Sequence, residues 1–233
     1  MQNIKKRAKE ISKKSERSSE YMKEQEIERL KALKSFEDNL RKEGNKLIIG
    51  IDEAGRGPLA GPVAVGAVIM KPDSMIEWVN DSKKVTAKRR EILYDKIIED
   101  SIAWSVQLVS EKEIDEKNIL QATKEGLTLA IQDILSQVDE KPSLVIVDAL
   151  REINTMGIPY ESIIKGDATC YSISCASILA KVTRDRIMDE WDKVYPEYGF
   201  AKHKGYGTKM HIEAIQKYGP CPIHRKTFIK HFI

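Results

Sequence analysis

Cysteine, aromatic side chains and long apolar runs are all scarce in this chain, and each scarcity removes a class of protein. Three cysteines occur in 233 residues, Cys170, Cys175 and Cys221. An odd number at no metal-ligand spacing argues against a disulfide framework or a zinc site and reads as reduced thiols in a cytoplasm. No apolar run approaches the roughly 18–20 residues that span a bilayer, so no membrane partner is expected. The N-terminus is charged and lacks the apolar segment of a secretory signal. Gly55-Arg56-Gly57 lacks the Gly-Lys-Ser/Thr ending of a phosphate-binding P-loop. No convincing Ser/His/Asp set for acyl transfer is present.

What is present is charge, 32% of the residues, unevenly placed. Residues 1–46 hold 14 Lys/Arg and 9 Asp/Glu, whereas the remainder holds 25 and 27. Charge alone would not identify a nucleic-acid partner. The first 46 residues contain no proline, and Ile27, Leu30, Leu33 and Phe36 recur near helical spacing. They read as a charged helical extension ahead of a domain over residues 47–233, a solvated arm on the plain reading and an extra nucleic-acid or partner contact on the sharper one.

After Lys46 the pattern changes. Residues 47–51 and 63–69 read as strands, with Gly66 marking a bulge or a close approach. A helix over 86–100, a strand over 102–109 and a helix over 111–138 follow. Short strands over 144–147 and 161–164 precede a buried helix over 171–191 and a last helix over 209–218. Strands interleaved with helices predict an α/β layer fold. The two closely spaced first strands predict an antiparallel pair, hence a mixed sheet.

Four carboxylates punctuate this pattern. Asp52 and Glu53 end the first strand, just before the turn that Gly55 and Gly57 permit. Asp148 ends an apolar strand, where α/β sheets place ligands. Asp167 precedes the buried helix, where a helix cap would look the same. Taken together, hard oxygen ligands at strand ends suit Mg²⁺ or Mn²⁺. Two such ions can activate a water and stabilise the leaving oxygen of an in-line displacement. The Gly55-Arg56-Gly57 backbone can approach a phosphate or a ribose hydroxyl closely, though a plain tight turn fits as well. Lys83 in Asp81-Ser82-Lys83-Lys84, Tyr206 in Lys202-His203-Lys204-Gly205-Tyr206, and His224-Arg225 offer phosphate contacts and a ring to stack on sugar or base.

In series, these blocks resemble ribonuclease HII. Gly50-Ile51-Asp52-Glu53-Ala54-Gly55-Arg56-Gly57-Pro58, Asp81-Ser82-Lys83-Lys84, Val147-Asp148 and Lys165-Gly166-Asp167 follow one another. Ala176–Asp185, Gly205-Tyr206-Gly207-Thr208 and His224-Arg225 complete the series, which spans roughly residues 47–228. The resemblance implies a ribonuclease H-like mixed five-stranded sheet flanked by helices, with an N-terminal helical extension. It implies endonucleolytic hydrolysis of RNA in RNA–DNA hybrids, and incision 5′ to single ribonucleotides embedded in duplex DNA, leaving a 3′-hydroxyl and a 5′-phosphate. It makes Asp52, Glu53, Asp148 and Asp167 the ligands of two Mn²⁺ or Mg²⁺ ions. It makes Gly55, Arg56, Gly57 and Tyr206 the readers of the 2′-hydroxyl, by which a protein tells RNA from DNA. Lys83, His224 and Arg225 are expected to touch substrate, and the protein is expected to act as a monomer. One departure is Ala149, where the resemblance calls for glycine after the acid. Asp185 is expected to be structural, paired with Lys181 one turn back. The related ribonuclease HIII is disfavoured by Gly-Arg-Gly and Tyr206. A catalytically dead hybrid binder is disfavoured by four acids that would repel phosphate without metal.

Overall fold

The computed structural model describes the backbone of residues 2–233 and the side chains from Met22 onward. Helix α1 (Gln2–Lys42) leads into strands β1 (Ile48–Ala54) and β2 (Val63–Met70). Helix α2 (Ala87–Glu99) and strand β3 (Ser101–Val109) follow, then α3 (Glu111–Lys117), α4 (Ile119–Gln137), β4 (Leu144–Asp148) and β5 (Tyr160–Ile163). The chain ends with α5 (Gly166–Thr169), α6 (Tyr171–Val194), α7 (Phe200–His203), α8 (Lys209–Tyr218) and α9 (Lys226–Ile229). Among the described residues, no helix is long and apolar enough to cross a membrane.

The sheet has five strands in the order β3-β2-β1-β4-β5. β1 runs antiparallel to β2 and β2 to β3, whereas β4 is parallel to β1 and to β5. The expected mixed sheet is therefore present. Both faces are covered. Ile49, Ile51, Val65, Val145 and Val147 pack with Leu127, Ala130, Ile131 and Ile134 of α4. On the other face Val68 and Met70 pack with Leu93 and Ile97 of α2 and with Cys175, Ile178 and Leu179 of α6. Burial on both sides explains why Val63–Met70 is apolar throughout instead of alternating.

Helix α6 lies unusually close to the sheet. A Cβ on Gly66 would stand 2.3 Å from the Ala176 carbonyl oxygen, and one on Gly50 would collide with Ser172. Gly66 therefore marks a close approach, one of the two readings its place in the strand allowed.

Two expectations change. The helix read over 111–138 is two helices, because Asn118 adopts φ +68° between them. Asparagine tolerates that conformation, and its Oδ1 accepts the Leu120 and Gln121 amides and so starts α4 afresh. The stretch read as a solvated arm docks along its second half. Leu30, Leu33 and Leu40 are buried in the core, and Ile27 stays exposed. Glu37 is buried too, and its Oε1 accepts both the amide (2.7 Å) and the hydroxyl (3.0 Å) of Ser172. The N-cap of α6, Cys170, provides no side-chain bond, and a carboxylate from α1 satisfies one of that helix's free amides instead.

Candidate active site

β1 carries its two acids inside the strand, not beyond its end. Asp52 pairs with Gly66 and Glu53 with Val65 on the β2 side. On the β4 side the ladder stops at Ile51–Val147, so the next residue on each strand, Asp52 and Asp148, meets its neighbour where the strands part. A parallel pair opening at its carboxyl ends is where ligands enter α/β sheets. Asp148 Oδ1 accepts the Gly166 amide at 2.8 Å and so draws α5 to the end of β4. That leaves Asp167, buried on α5, beside the strand acids. Lys165 stands at the N-cap of α5 and Cys170 at that of α6, so Asp167 caps neither helix.

The arrangement is short of positive charge. Burial pushes the Asp52 carboxyl well above its ordinary range, and the charges of Glu53 and Asp148 add to the shift. Burial likewise raises Glu53 against the pull of Arg56, and raises Asp148 against the Gly166 hydrogen bond. Among the described residues, Glu53 Oε2 is buried without a partner, and its Oε1 has only Arg56 at 3.4 Å. Lys83 stands in as the cation, 3.1 Å from Asp167 and 4.0 Å from Asp81. Partial burial pulls its ammonium down, but Asp167, Asp81 and Asp52 outweigh this and raise it. Among the described residues, no three His, Cys, Asp or Glu side chains converge closely enough to enclose an ion as they lie. The donor set nevertheless fits a hard divalent cation: four mutually repelling carboxylates, one oxygen orphaned and buried.

The turn after β1 is built by two buried arginines. Arg225 donates to the carbonyls of Gly55 (2.6 Å), Arg56 (2.9 Å) and Gly61 (2.8 Å). Arg184 donates to those of Pro62 (2.9 Å), Ala60 (3.0 Å) and Lys204 (2.9 Å). Gly55 has φ +97°, and its missing side chain leaves room for the Arg184 guanidinium. Burial lowers both guanidinium pKa values, that of Arg225 to about 9, with the Arg184 charge contributing. Tyr206 stands against this turn, 46% exposed, its ring 3.8 Å from where a Gly57 Cβ would lie.

Three histidines hold Tyr206 from behind. The Cys221 amide donates to His224 Nδ1, so His224 Nε2 carries the proton and donates to His211 Nε2 at 3.0 Å. His211 Nδ1 then donates to the Tyr206 carbonyl at 2.9 Å, and the His203 carbonyl accepts the Tyr206 amide at 2.9 Å. Burial lowers all three imidazoles, His211 to about 4.

His224 and Arg225, expected as substrate contacts, lie behind the turn and Tyr206 and not on the surface. Both are buried, and their polar atoms are spent on their own chain. Their bonds run through His211 to the Tyr206 carbonyl and directly to the carbonyls of Gly55 and Arg56. Asp185 is paired as expected, 2.7 Å from Lys181, and also with Arg90. Arg184 and Glu37 escaped the sequence reading. Arg184 lay unassigned inside the Ala176–Asp185 block, and nothing local marks Glu37. The Ala149 departure has a visible cost, since that residue adopts φ +46°, a conformation glycine enters freely.

This geometry agrees with what the chain resembles. Residues 49–231 match the family model described as ribonuclease HII. Ribonuclease HII of Acetivibrio thermocellus is 52% identical over 210 residues, covering 90% of this chain and 80% of that protein. Ribonuclease HII of Caldicellulosiruptor saccharolyticus is 52% identical over 198 residues, covering 85% and 94%. The crystal structure of ribonuclease H2 from Pyrococcus horikoshii OT3 superposes with a TM-score of 0.65 at 28% identity, covering 80% of this chain and 99% of that one. With the family model spanning almost all of the chain after α1, and both curated relatives above half identity, this chain belongs to the ribonuclease HII family, hydrolases acting on RNA in RNA–DNA hybrids.

Proposed function

We propose that the protein incises duplex DNA on the 5′ side of a single embedded ribonucleotide, besides cutting RNA within hybrids, and leaves 3′-hydroxyl and 5′-phosphate ends. What supports this reading is the proximity of two devices on one strand end. Glu53 is the last of the strand acids, and Gly55-Arg56-Gly57 begins two residues later with Tyr206 against it. A ribose gripped by that turn has its phosphodiester close to the carboxylates.

Asp52, Glu53, Asp148 and Asp167 would hold two divalent ions, Mg²⁺ or Mn²⁺. Bound ions supply an activated water and stabilise the leaving oxygen of an in-line displacement. The chain's own residues do the rest. Gly55 and Gly57 let backbone groups approach the 2′-hydroxyl, and the Tyr206 ring packs against the sugar at the RNA–DNA junction. Arg225 and Arg184 hold that turn still, which pre-organises the geometry of attack. Lys83 moves from the acids to a phosphate of the substrate as the site fills. The protein works as a monomer in this reading, since one chain provides every group named.

The test is a DNA duplex with one ribonucleotide, incubated with the protein and Mg²⁺ or Mn²⁺. A single nick 5′ to the ribonucleotide, abolished by EDTA, is the expected result. Absence of incision with both metals would sink the proposal. Tyr206→Ala should weaken cleavage of the single-ribonucleotide substrate more than cleavage of a continuous hybrid, and equal loss on both would contradict the junction role.

A further inference from the structure

One residue along the chain from Lys83, a groove of about 220 Å³ opens between α1 and the start of α2, lined by Glu26, Arg29, Trp78, Asn80, Lys84 and Arg89. We infer that this groove is a second nucleic-acid contact, which takes the duplex flank of the substrate: Lys84 and Arg89 meet backbone phosphates and the Trp78 indole lies along the sugar-phosphate edge. The inference rests on the reading of the protein as a nuclease acting on duplexes.

Trp78 carries the argument. It is 42% exposed, an unusual place for the largest apolar side chain. It also adopts φ +72°, a conformation that costs any side-chain-bearing residue and that glycine would adopt freely. The rest of the groove is arranged to hold it there. Glu26 Oε1 accepts the Trp78 amide at 2.6 Å, and Arg29 grips both oxygens of Glu26 while donating to the Val79 carbonyl at 2.8 Å. The Arg89 guanidinium lies 4.4 Å from the centre of the Trp78 ring. Arg29 answers the Glu26 charge, so Lys84 and Arg89 leave the groove net positive around an exposed ring. A flat face flanked by cations is the chemistry that tracks a nucleic-acid backbone.

The position suits the same substrate. Lys84 follows Lys83, whose ammonium touches Asp167. Trp78 precedes Lys83 by five residues, so it lies within roughly 18 Å of that lysine. At about 3.4 Å per base pair, that upper limit is at most about five steps along the duplex from Lys83.

The experiment uses the full chain and duplexes with one ribonucleotide, with long flanks or with one flank trimmed to about three base pairs, each side in turn. Trp78→Gly suits the backbone better than tryptophan, so its melting temperature should hold or rise; Arg89→Glu reverses a charge on an exposed helix position. For the long duplex and for one of the two trimmed forms, both variants should raise KM about tenfold with kcat unchanged, the scale of one lost backbone contact. For the form trimmed on the groove side, variants and wild type should share one KM. Equal impairment on every substrate would reduce Trp78 to a structural role and overturn the inference, as would unchanged KM throughout. Failure of the wild type to cut any of these duplexes would instead overturn the nuclease reading beneath it.

Discussion

Asp52 sits where stability and function pull apart. Its carboxyl is buried, raised, and repelled by Glu53 and Asp148. Asp52→Asn should cut turnover by at least about a hundredfold, the scale of losing one group that stabilises charge in the transition state. The same substitution should leave the melting temperature in EDTA equal or higher, because it removes an unpaired buried charge. A normal rate, or a lower melting temperature with metal absent, would contradict this account. Ala149 offers the opposite experiment. Ala149→Gly releases the φ +46° strain next to Asp148 and should stabilise the protein by up to about 1 kcal/mol, net of glycine's chain entropy, in a urea titration. Arg225→Lys keeps the positive charge but cannot span the carbonyls of Gly55, Arg56 and Gly61. It should destabilise by about 3 kcal/mol as carbonyls lose a charged donor, and should weaken discrimination for ribose over deoxyribose.

Among the elements, α1 is the one whose role the fold redefines. Leu30→Ala removes a fully buried side chain between α1 and α6 and should cost about 2–5 kcal/mol by chemical denaturation. Removing residues 1–46 should therefore lower stability sharply, where a solvated arm would have been dispensable. The sequence made the central strands plain, because β1, β2 and β4 are unbroken apolar runs closed by acids or turns. It made α6 plain for the same reason. The four acids drew notice in the sequence because each follows an apolar run or precedes a helix, although Asp52 and Glu53 lie inside β1 and Asp167 in the first turn of α5. What stayed illegible depends on distance along the chain. Glu37 reads as one more charge on an exposed-looking helix until Ser172, far along the chain, comes to meet it. His224 and Arg225 read as surface cations because their partners lie far off or carry no residue signal: His211 for the imidazole, backbone carbonyls for the guanidinium. Asn118 hides a helix break inside an intact apolar period, because its side-chain capping is a conformational choice and not a composition signal.

At the scale of the whole molecule, the pH response follows from the histidines behind Tyr206. Unfolded, each would take a proton near pH 6.5. Folded, each is held lower, His211 at about 4. Above about pH 6.5 neither state is protonated there, and these groups leave stability unchanged. As pH falls from 6.5 towards 4 the unfolded chain gains protons the fold refuses, so stability drops across that window. The raised carboxyls act in the opposite sense, since protonation relieves their repulsion. His211→Asn separates the two: its melting temperature should fall less steeply between pH 6.5 and 5 than that of the wild type, and parallel curves would remove His211 from the account.

The Glu37–Ser172 bond joins residues 135 apart, and that separation orders events in time. A contact closed over so much chain forms only after a large entropic cost has been met by other contacts. The parallel β1–β4 pairing that brings Asp52 to Asp148 has the same handicap. The four acids are therefore expected to come together late in folding, after the local helices have formed. On refolding from denaturant, helical signal should return first and nicking activity with the slowest phase, a lag that Glu37→Ala lengthens.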